Sequence, residues 1–152
     1  GSSVMVKKTA NHLVIDLSDV SRWEMIRLPF GDTYRCVCIH SLTSALPSSR
    51  WRVYDANWKL MNDIVLPDFS AENFFVPADD VRSEQLEKLK ELSAYSHYTL
   101  SWEDEREGSA PVLKVALSFP SLGKDLDDVA GKCLHPLFYK WIGSAFEKSH
   151  AE

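Results

Sequence analysis

Two cysteines and a histidine at two-residue spacing are the side chains of this sequence that could do chemistry together. Cys36, Cys38 and His40 alternate within an apolar run. On a strand, such residues project from one face, and Tyr34 projects with them. Thiolates and imidazoles are ligands of zinc, so this face is the first candidate for a metal or redox site.

Two further ligand types lie near the C-terminus, where Cys133 and His135 could complete such a site. The spacing nevertheless differs from that of zinc motifs, which place two cysteines on a turn with two to four residues between them. Cysteine is also a common core residue. We therefore expect buried thiols rather than a site, with no metal ion and no cofactor.

A second candidate combines guanidinium groups and aromatic rings, in Arg50, Trp51, Arg52, Tyr54 and Trp58. On a strand, the two arginines and Tyr54 share one face, and Trp51 lies on the other. Arginines beside exposed rings can hold single-stranded nucleic acid. An amphipathic strand with Trp51 in the core is the simpler interpretation, and the acidic chain makes a nucleic-acid partner unlikely.

Acid–base and nucleophilic chemistry have no motif in this sequence. There is no Gly-x-Ser-x-Gly elbow, no Gly-rich phosphate loop and no His-Glu-x-x-His pair. Asp125, Asp127 and Asp128 lie at a predicted helix start, where carboxylates favour the positive end of the helix dipole. The sequence therefore assigns no catalytic residue and favours a protein that is not an enzyme.

The totals describe an ordinary globular chain of 152 residues, 45% hydrophobic and 26% charged, with a net charge of −5. We expect one α+β domain over residues 4–152, preceded by the remnant of an expression tag at residues 1–3. Three cysteines form no disulfide framework, and no apolar run reaches the roughly 18 residues of a membrane helix. These features predict a cytoplasmic protein without a membrane span.

Charge is divided unevenly along the chain. Residues 1–62 carry eight Lys and Arg against five Asp and Glu, whereas residues 63–152 carry nine against seventeen. The first part is therefore net positive by three charges and the second net negative by eight. A solvated surface accounts for this division without a function.

Strands dominate the first half of the pattern. His12–Leu17 and Thr33–Leu42 are rich in β-branched and apolar residues, and Arg50–Asp55 with Lys59–Leu66 is typical of a hairpin. Asp19–Leu28 has N-cap types followed by apolar residues at helical spacing, which predicts a short helix. A strand is the alternative for this segment, because its apolar residues also fit a period of two.

The second half predicts two helices around a second hairpin. A middle helix covers Asp79–Tyr95, and the hairpin pairs His97–Glu103 with Val112–Phe119. A long C-terminal helix covers Asp125–Lys148 and is kinked or broken at Pro136. The expected fold is therefore α+β, a mainly antiparallel sheet of about five or six strands with the middle and C-terminal helices packed on it.

The C-terminal helix would carry more apolar surface than one layer of sheet can cover. Its aromatic residues belong to the types that dominate binding hot spots. This excess predicts a partner-binding surface, for another protein or for a second copy of the chain, formed by Leu134, Phe138, Trp141, Ile142 and Phe146.

The order of elements after residue 18 resembles that of bacterial type III secretion chaperones and their cytoplasmic relatives. The resemblance extends over most of the chain, but the initial strand and the Pro136 break depart from that pattern, and no functional residue is carried over. It implies a dimeric, chaperone-like or adaptor protein that binds a client.

The sequence thus favours a non-enzymatic protein-binding module that uses the C-terminal helix or a sheet edge. The alternative is a small-molecule-binding or catalytic α+β protein, with a pocket between the sheet and that helix.

Overall fold

A computed structural model of the protein describes residues 3–104 and 108–149. Gly1 and Ser2, which belong to the expected tag remnant, lie outside the described residues. Within the described ranges, ten strands form two antiparallel sheets of six and four strands, accompanied by two short α-helices. The protein is therefore mostly antiparallel β-structure.

The first sheet is a meander in which each strand pairs with the next strand along the chain. Alternation of apolar and polar residues with a period of two suits a sheet that has one face in the core. Its strands, in both chain order and spatial order, are β1 (Val4–Lys8), β2 (His12–Ser18), β3 (Ser21–Phe30), β4 (Thr33–Leu42), β5 (Ser48–Tyr54) and β6 (Leu60–Met61).

The second sheet is also a meander, with one helix inserted between its second and third strands. Its strands are β7 (His97–Trp102), β8 (Val112–Ser118), β9 (Leu137–Trp141) and β10 (Phe146–Ser149). Helix α1 (Ser83–Glu91) precedes this sheet, and α2 (Lys124–Cys133) is the inserted helix; 3-10 turns lie at Ala71–Phe74 and Leu92–Tyr95.

The core lies between the two sheets. We call the face of the first sheet that points into it the inner face. Alternate side chains of both sheets and the apolar sides of the helices join one hydrophobic cluster. Its members include Ile26, Leu28, Val37, Ile39 and Val53 from the first sheet, Leu100, Leu113, Val115 and Tyr139 from the second, and Leu86, Leu89, Val129 and Cys133 from the helices.

Hydrogen bonds between the sheets fix how they pack on each other. The buried carboxylate of Glu24 accepts the backbone N–H of Trp102 at 3.0 Å. The hydroxyl of Ser49 accepts the backbone N–H of Leu100 at 2.9 Å. Each bond satisfies a polar group that the packing removes from water, so the contact is specific as well as apolar.

The prediction of an α+β fold with a long C-terminal helix is wrong. Helix α2 ends at Cys133, and Pro136 is followed by the hairpin of β9 and β10. Leu137, Tyr139 and Trp141 are buried at a period of two, whereas the sequence pattern was assigned to residues spaced by four. The hairpin turns at Gly143, whose φ of 94° is readily adopted only by glycine.

The predicted helix at Asp19–Leu28 is also wrong, and the strand alternative is correct. Asp19 and Val20 form the turn before β3, and the rest of the segment belongs to β3, in which Glu24, Ile26 and Leu28 are buried on the inner face. The strand prediction for Thr33–Leu42 is confirmed residue for residue by β4. The middle helix is confirmed over a shorter range than Asp79–Tyr95.

The uneven distribution of charge follows the two sheets. The net-positive part of the sequence forms the first sheet, and the net-negative part forms the helices and the second sheet. No helix in the described part of the chain has the length and apolar character that crossing a membrane requires.

Candidate functional site

The face of the first sheet that points away from the core, which we call the outer face, carries both groups of residues singled out in the sequence. The strand register aligns Met5, Ile15, Trp23, His40 and Arg50 in one row across β1 to β5. Opposed residues of an antiparallel pair share a face, so this row is continuous. It leads from apolar side chains on β1, β2 and β3 to His40 on β4 and a cation on β5.

A second row runs parallel to the first and also ends in an arginine on β5, but it begins with a lysine on β1. Lys8, Leu13, Met25, Cys38 and Arg52 are opposed on successive strands. None of the residues in the two rows belongs to the core cluster. The predicted thiol–imidazole face and the predicted basic-aromatic face are therefore one surface, brought together by the pairing of β4 with β5.

A cleft of about 530 Å³ opens on this surface beside β5. Its volume lies within the range of about 300–1,000 Å³ that is usual for ligand sites. The cleft is lined by Trp23, Cys38, His40, Arg50, Arg52, Tyr54 and Trp58.

Arg50 and Arg52 have no carboxylate partner within ion-pair distance among the described residues. Other arginines of this protein are paired: Arg22 binds Asp16, and the guanidinium of Arg35 lies 2.8 Å from a carboxylate oxygen of Asp63. Two exposed, adjacent guanidinium groups thus remain available for an anion. A guanidinium donates two parallel hydrogen bonds to a carboxylate, which makes this pair suited to an acidic ligand.

Trp58 forms one wall of the cleft and is 60% exposed, unusually high for so large an apolar side chain. Its backbone has a φ of 64°, in the left-handed region. The Asp55 carboxylate holds the turn by accepting the N–H groups of Asn57 at 2.8 Å and Lys59 at 2.9 Å. The Trp58 ring lies 6.0 Å from that of Tyr54. A strained residue that presents an exposed indole is typical of a binding position.

The thiols beneath this surface are buried in an environment that disfavours the thiolate. Cys36 and Cys38 are buried free thiols, and burial together with the neighbouring Cys36 raises the pKa of Cys38 to about 11. Burial also raises the pKa of Cys36. His40 is exposed, and its Nε2 lies 2.6 Å from the Ser21 hydroxyl. In the described ranges, no group of three or more His, Cys, Asp or Glu side chains could hold a metal ion.

Cys133 and His135, the further thiol and imidazole that the sequence offers for a metal site, lie away from the outer face. Cys133 is fully buried in the core cluster, on the opposite side of the first sheet from Cys36 and Cys38. His135 is exposed, and its backbone N–H donates to the carbonyl oxygen of Phe74 at 2.8 Å. The structure therefore does not bring Cys133 or His135 to the outer face.

The five residues predicted to bind a partner do not form one surface. Trp141 is 2% exposed, and Phe146 packs edge-on against it with ring centroids 5.1 Å apart. Leu134 and Phe138 are half-buried, and Ile142 is exposed in the β9–β10 turn. Because these residues lie on two strands, a turn and a helix end, the apolar line expected of one helix does not exist.

A larger cavity of about 840 Å³ is lined by residues of both sheets. Arg27 lines it and stacks over the ring of Tyr34, with 3.9 Å between the guanidinium carbon and the ring centre. Phe138 and Lys140 of β9 also line it. This cavity is where the first sheet meets the C-terminal segment.

Several outer-face residues were not recognised in the sequence as parts of a site. The sequence prediction places Trp23 and Met25 in a helix. It places Leu13 and Ile15 in a strand but does not say which face of the sheet they occupy. The signal that identifies them is the period of two over residues 21–30, which puts Trp23, Met25 and Arg27 on one side. A strand assignment for β3 places this side next to Cys36, Cys38 and His40.

Comparison with known proteins supports the fold and names no activity. A solved structure described as a domain of an uncharacterized protein from Porphyromonas gingivalis W83 superposes with a TM-score of 0.73 at 21% sequence identity, covering 99% of this chain and 80% of that one. No curated protein matches the chain. A family model described as "Protein of unknown function (DUF3256)" matches residues 1–146. The chain belongs to this family.

Proposed function

We propose that this protein is a non-enzymatic protein-binding module, and that it holds an acidic segment of a partner protein on the outer face of the first sheet. The observation that carries the proposal is the cleft in which Arg50 and Arg52 lie beside the exposed ring of Trp58 without a carboxylate partner.

The composition of this surface supports a protein ligand. Arg, Trp and Tyr are the residue types that contribute most to binding hot spots, and all three line the cleft. On β2 and β3 the rows that lead to it are apolar and half-buried, with Leu13, Ile15, Trp23 and Met25. Apolar side chains next to guanidinium groups match a segment that combines carboxylates with apolar residues.

The remainder of the molecule favours the same surface. The helices and the second sheet are net acidic, so an acidic ligand is repelled there and attracted to the first sheet. The C-terminal residues expected to bind a partner are dispersed, and Trp141 among them is buried. The proposed site therefore differs from the one that the sequence suggested, although the class of function is the same.

A second candidate function is small-molecule binding in the cavity lined by both sheets. Its volume of about 840 Å³ suits an organic ligand, and the stacked pair of Arg27 and Tyr34 offers a cation and a ring. This candidate retains the idea of a pocket against the C-terminal segment, with β9 in place of a helix.

The test is a binding panel measured by fluorescence anisotropy at low and moderate salt. The panel contains labelled acidic peptides whose apolar residues recur at a period of two or at helical spacing, a basic peptide with each pattern, and single-stranded oligo(dT). We expect an acidic peptide to bind, and Arg50→Gln/Arg52→Gln to weaken it by about tenfold or more, which corresponds to about 1.4 kcal/mol.

The matched control is Lys88→Gln/Lys124→Gln, which removes two charges from exposed positions on the helices. It should leave the affinity within about twofold. The proposal is overturned if no acidic peptide binds the wild-type protein, if both double variants weaken binding equally, or if oligo(dT) binds as tightly as the best peptide through the same arginines.

A further inference from the structure

We propose that the partner segment is an amphipathic α-helix that lies across the strands of the outer face, with acidic residues at the end that meets Arg50 and Arg52. This inference rests on the proposed function and identifies the conformation and chemistry of the ligand. The helix covers an apolar band formed by Met5, Leu13, Ile15, Trp23 and Met25, and it passes over the buried Cys38 and the exposed His40 of β4 before it meets the arginines.

The dimensions of the band fit one helix. Residues two apart on a strand are separated by about 6.6 Å, so two rows with their side chains make a band about 12 Å wide. A helix with its side chains is about 10–12 Å across. Five strands at about 4.8 Å spacing give a length of about 19 Å, which a helix of about 13 residues spans.

The area of the band argues for a single segment rather than a folded domain. A surface of about 12 by 19 Å is far smaller than the roughly 800 Å² that each partner contributes to a standard interface. A short helix, in contrast, can bury its apolar side on a surface of this size.

Hydrogen bonding argues for a helix rather than an extended chain. The backbone groups of a sheet bond within its plane, so a peptide laid on the face meets side chains only. An extended peptide would leave its own N–H and C=O groups without partners there, whereas a helix satisfies them internally. The face of a sheet therefore selects a helical ligand.

Pairing at the edges of the first sheet is disfavoured by two features. Strand β1 has a bulge between Met5 and Lys7, and its last two residues are lysines. Bulges and lysines are features by which edge strands avoid further pairing. The opposite edge strand, β6, has two residues. Strand addition thus has little regular edge to extend, and the face is the better surface.

The charges at the two ends of the band determine which end of the ligand helix lies on β5. Arg50 and Arg52 end the two rows on β5, and Lys8 is the cation at the β1 end of one row. In the described structure, Arg50 and Arg52 have no ion-pair partner. Two acidic residues at one end of the ligand helix complement Arg50 and Arg52. A basic end of that helix would be repelled by the same two arginines.

The experiment compares peptides of about 15 residues, a little longer than the band. The first has leucines at helical spacing and a pair of glutamates at its C-terminal end. The second carries a central proline in place of alanine, and the third has lysines in place of the glutamates. Affinity is measured by anisotropy, and helix content is followed by circular dichroism during titration.

We expect the first peptide to bind about tenfold or more tightly than the proline peptide, with a gain of helical signal on binding. Met25→Gln, in the middle of the band, should weaken it without altering the near-ultraviolet spectrum of the protein. Arg50→Glu/Arg52→Glu should exchange the preference, so that the lysine peptide binds and the glutamate peptide does not. Lys88→Glu/Lys124→Glu, with the same change in net charge, should leave the wild-type preference intact.

The helical ligand is excluded if the proline peptide or an acidic peptide with a period of two binds as tightly as the first, or if binding brings no helical signal. The proposed function survives either result, because acidic peptides still bind through Arg50 and Arg52. Failure of every acidic peptide to bind the wild-type protein overturns both proposals.

Discussion

The carboxylate of Glu24 on β3 accepts the backbone N–H of Trp102 on β7 at 3.0 Å, within the contact between the two sheets. Glu24 is 6% exposed. Burial raises the pKa of its carboxyl group, and the Trp102 hydrogen bond and the charges of Arg22 and Lys7 offset only part of that effect. A carboxylate is thus kept at a position where its charge is costly.

Glu24 should make the stability of the protein fall as the pH rises. Its pKa in the folded state lies above that in the unfolded chain, so its protonation favours folding at low pH. That contribution to stability is fully present below a pH of about 4, the pKa of a glutamate in the unfolded chain. It is lost as the pH rises through the pKa of Glu24 in the folded protein. Glu24→Gln, which does not titrate, should therefore gain stability relative to wild type between about pH 4 and pH 7. Urea unfolding of both proteins across this range measures the difference, and parallel curves contradict the prediction.

Trp141→Phe should destabilise the protein by about 2 kcal/mol, from a lost hydrogen bond and a smaller ring in the core. The Trp141 indole N–H donates to the Pro29 carbonyl oxygen at 2.7 Å, and the ring stacks on Phe30. The substitution leaves that carbonyl without its donor. Denaturant unfolding gives the change, and Trp58→Phe, at an exposed ring, is the matched control with an expected change below about 0.5 kcal/mol.

At position 58, glycine should be more stable than alanine by about 1 kcal/mol, because the left-handed backbone is costly for any side chain. Trp58→Gly and Trp58→Ala both remove the indole, so their difference isolates the backbone. Both variants should lose affinity for the acidic peptides to a similar extent. Thermal unfolding ranks the stabilities, and an advantage of alanine over glycine would show that the turn does not hold this conformation.

The Cys38 thiol should resist labelling in the folded protein, since a pKa of about 11 leaves very little thiolate at pH 8. A Cys36→Ala/Cys133→Ala background removes the smaller cause of the raised pKa, the neighbouring Cys36, and keeps the larger one, burial. In this background an aromatic disulfide reagent should react about a hundredfold more slowly with folded than with urea-unfolded protein. A cysteine introduced at the exposed Ser144 provides the reactive control. Equal rates at Cys38 and at position 144 would contradict the burial of the thiol.

Local patterns in the sequence predicted strands where alternation was unbroken and failed where two periods fitted equally well. Strand β4 was predicted with its observed ends because its run is long and is bounded by a turn. Leu137, Trp141 and Ala145 are spaced by four, as on one side of a helix. Leu137, Tyr139 and Trp141 are spaced by two and fit one face of a strand equally well. Only the packing of β9 against β8 decides between them, and that contact joins residues distant in sequence.

The sequence identified single strands of the candidate site but not the surface that those strands form together. The sequence placed Arg50, Arg52 and Tyr54 on one side of a strand and Trp51 on the other, and the register confirms this arrangement. What it could not supply is that β4 and β5 pair with His40 opposite Arg50, or that Trp23 lies beside them. A surface made by neighbouring strands depends on register, which no single segment encodes.

The consecutive pairing of strands in both sheets has a consequence for how the chain folds. In the first sheet each strand finds its neighbour through a short connection, so that sheet can grow by adding one hairpin at a time. The second sheet must also close the α2 segment between β8 and β9. The slower, entropically demanding step is then the closure of one sheet onto the other, which joins β3, β4 and β5 to β7 through residues as far apart in sequence as Glu24 and Trp102. The Glu24–Trp102 contact belongs to that closure, so the two sheets acquire their mutual alignment only in this step.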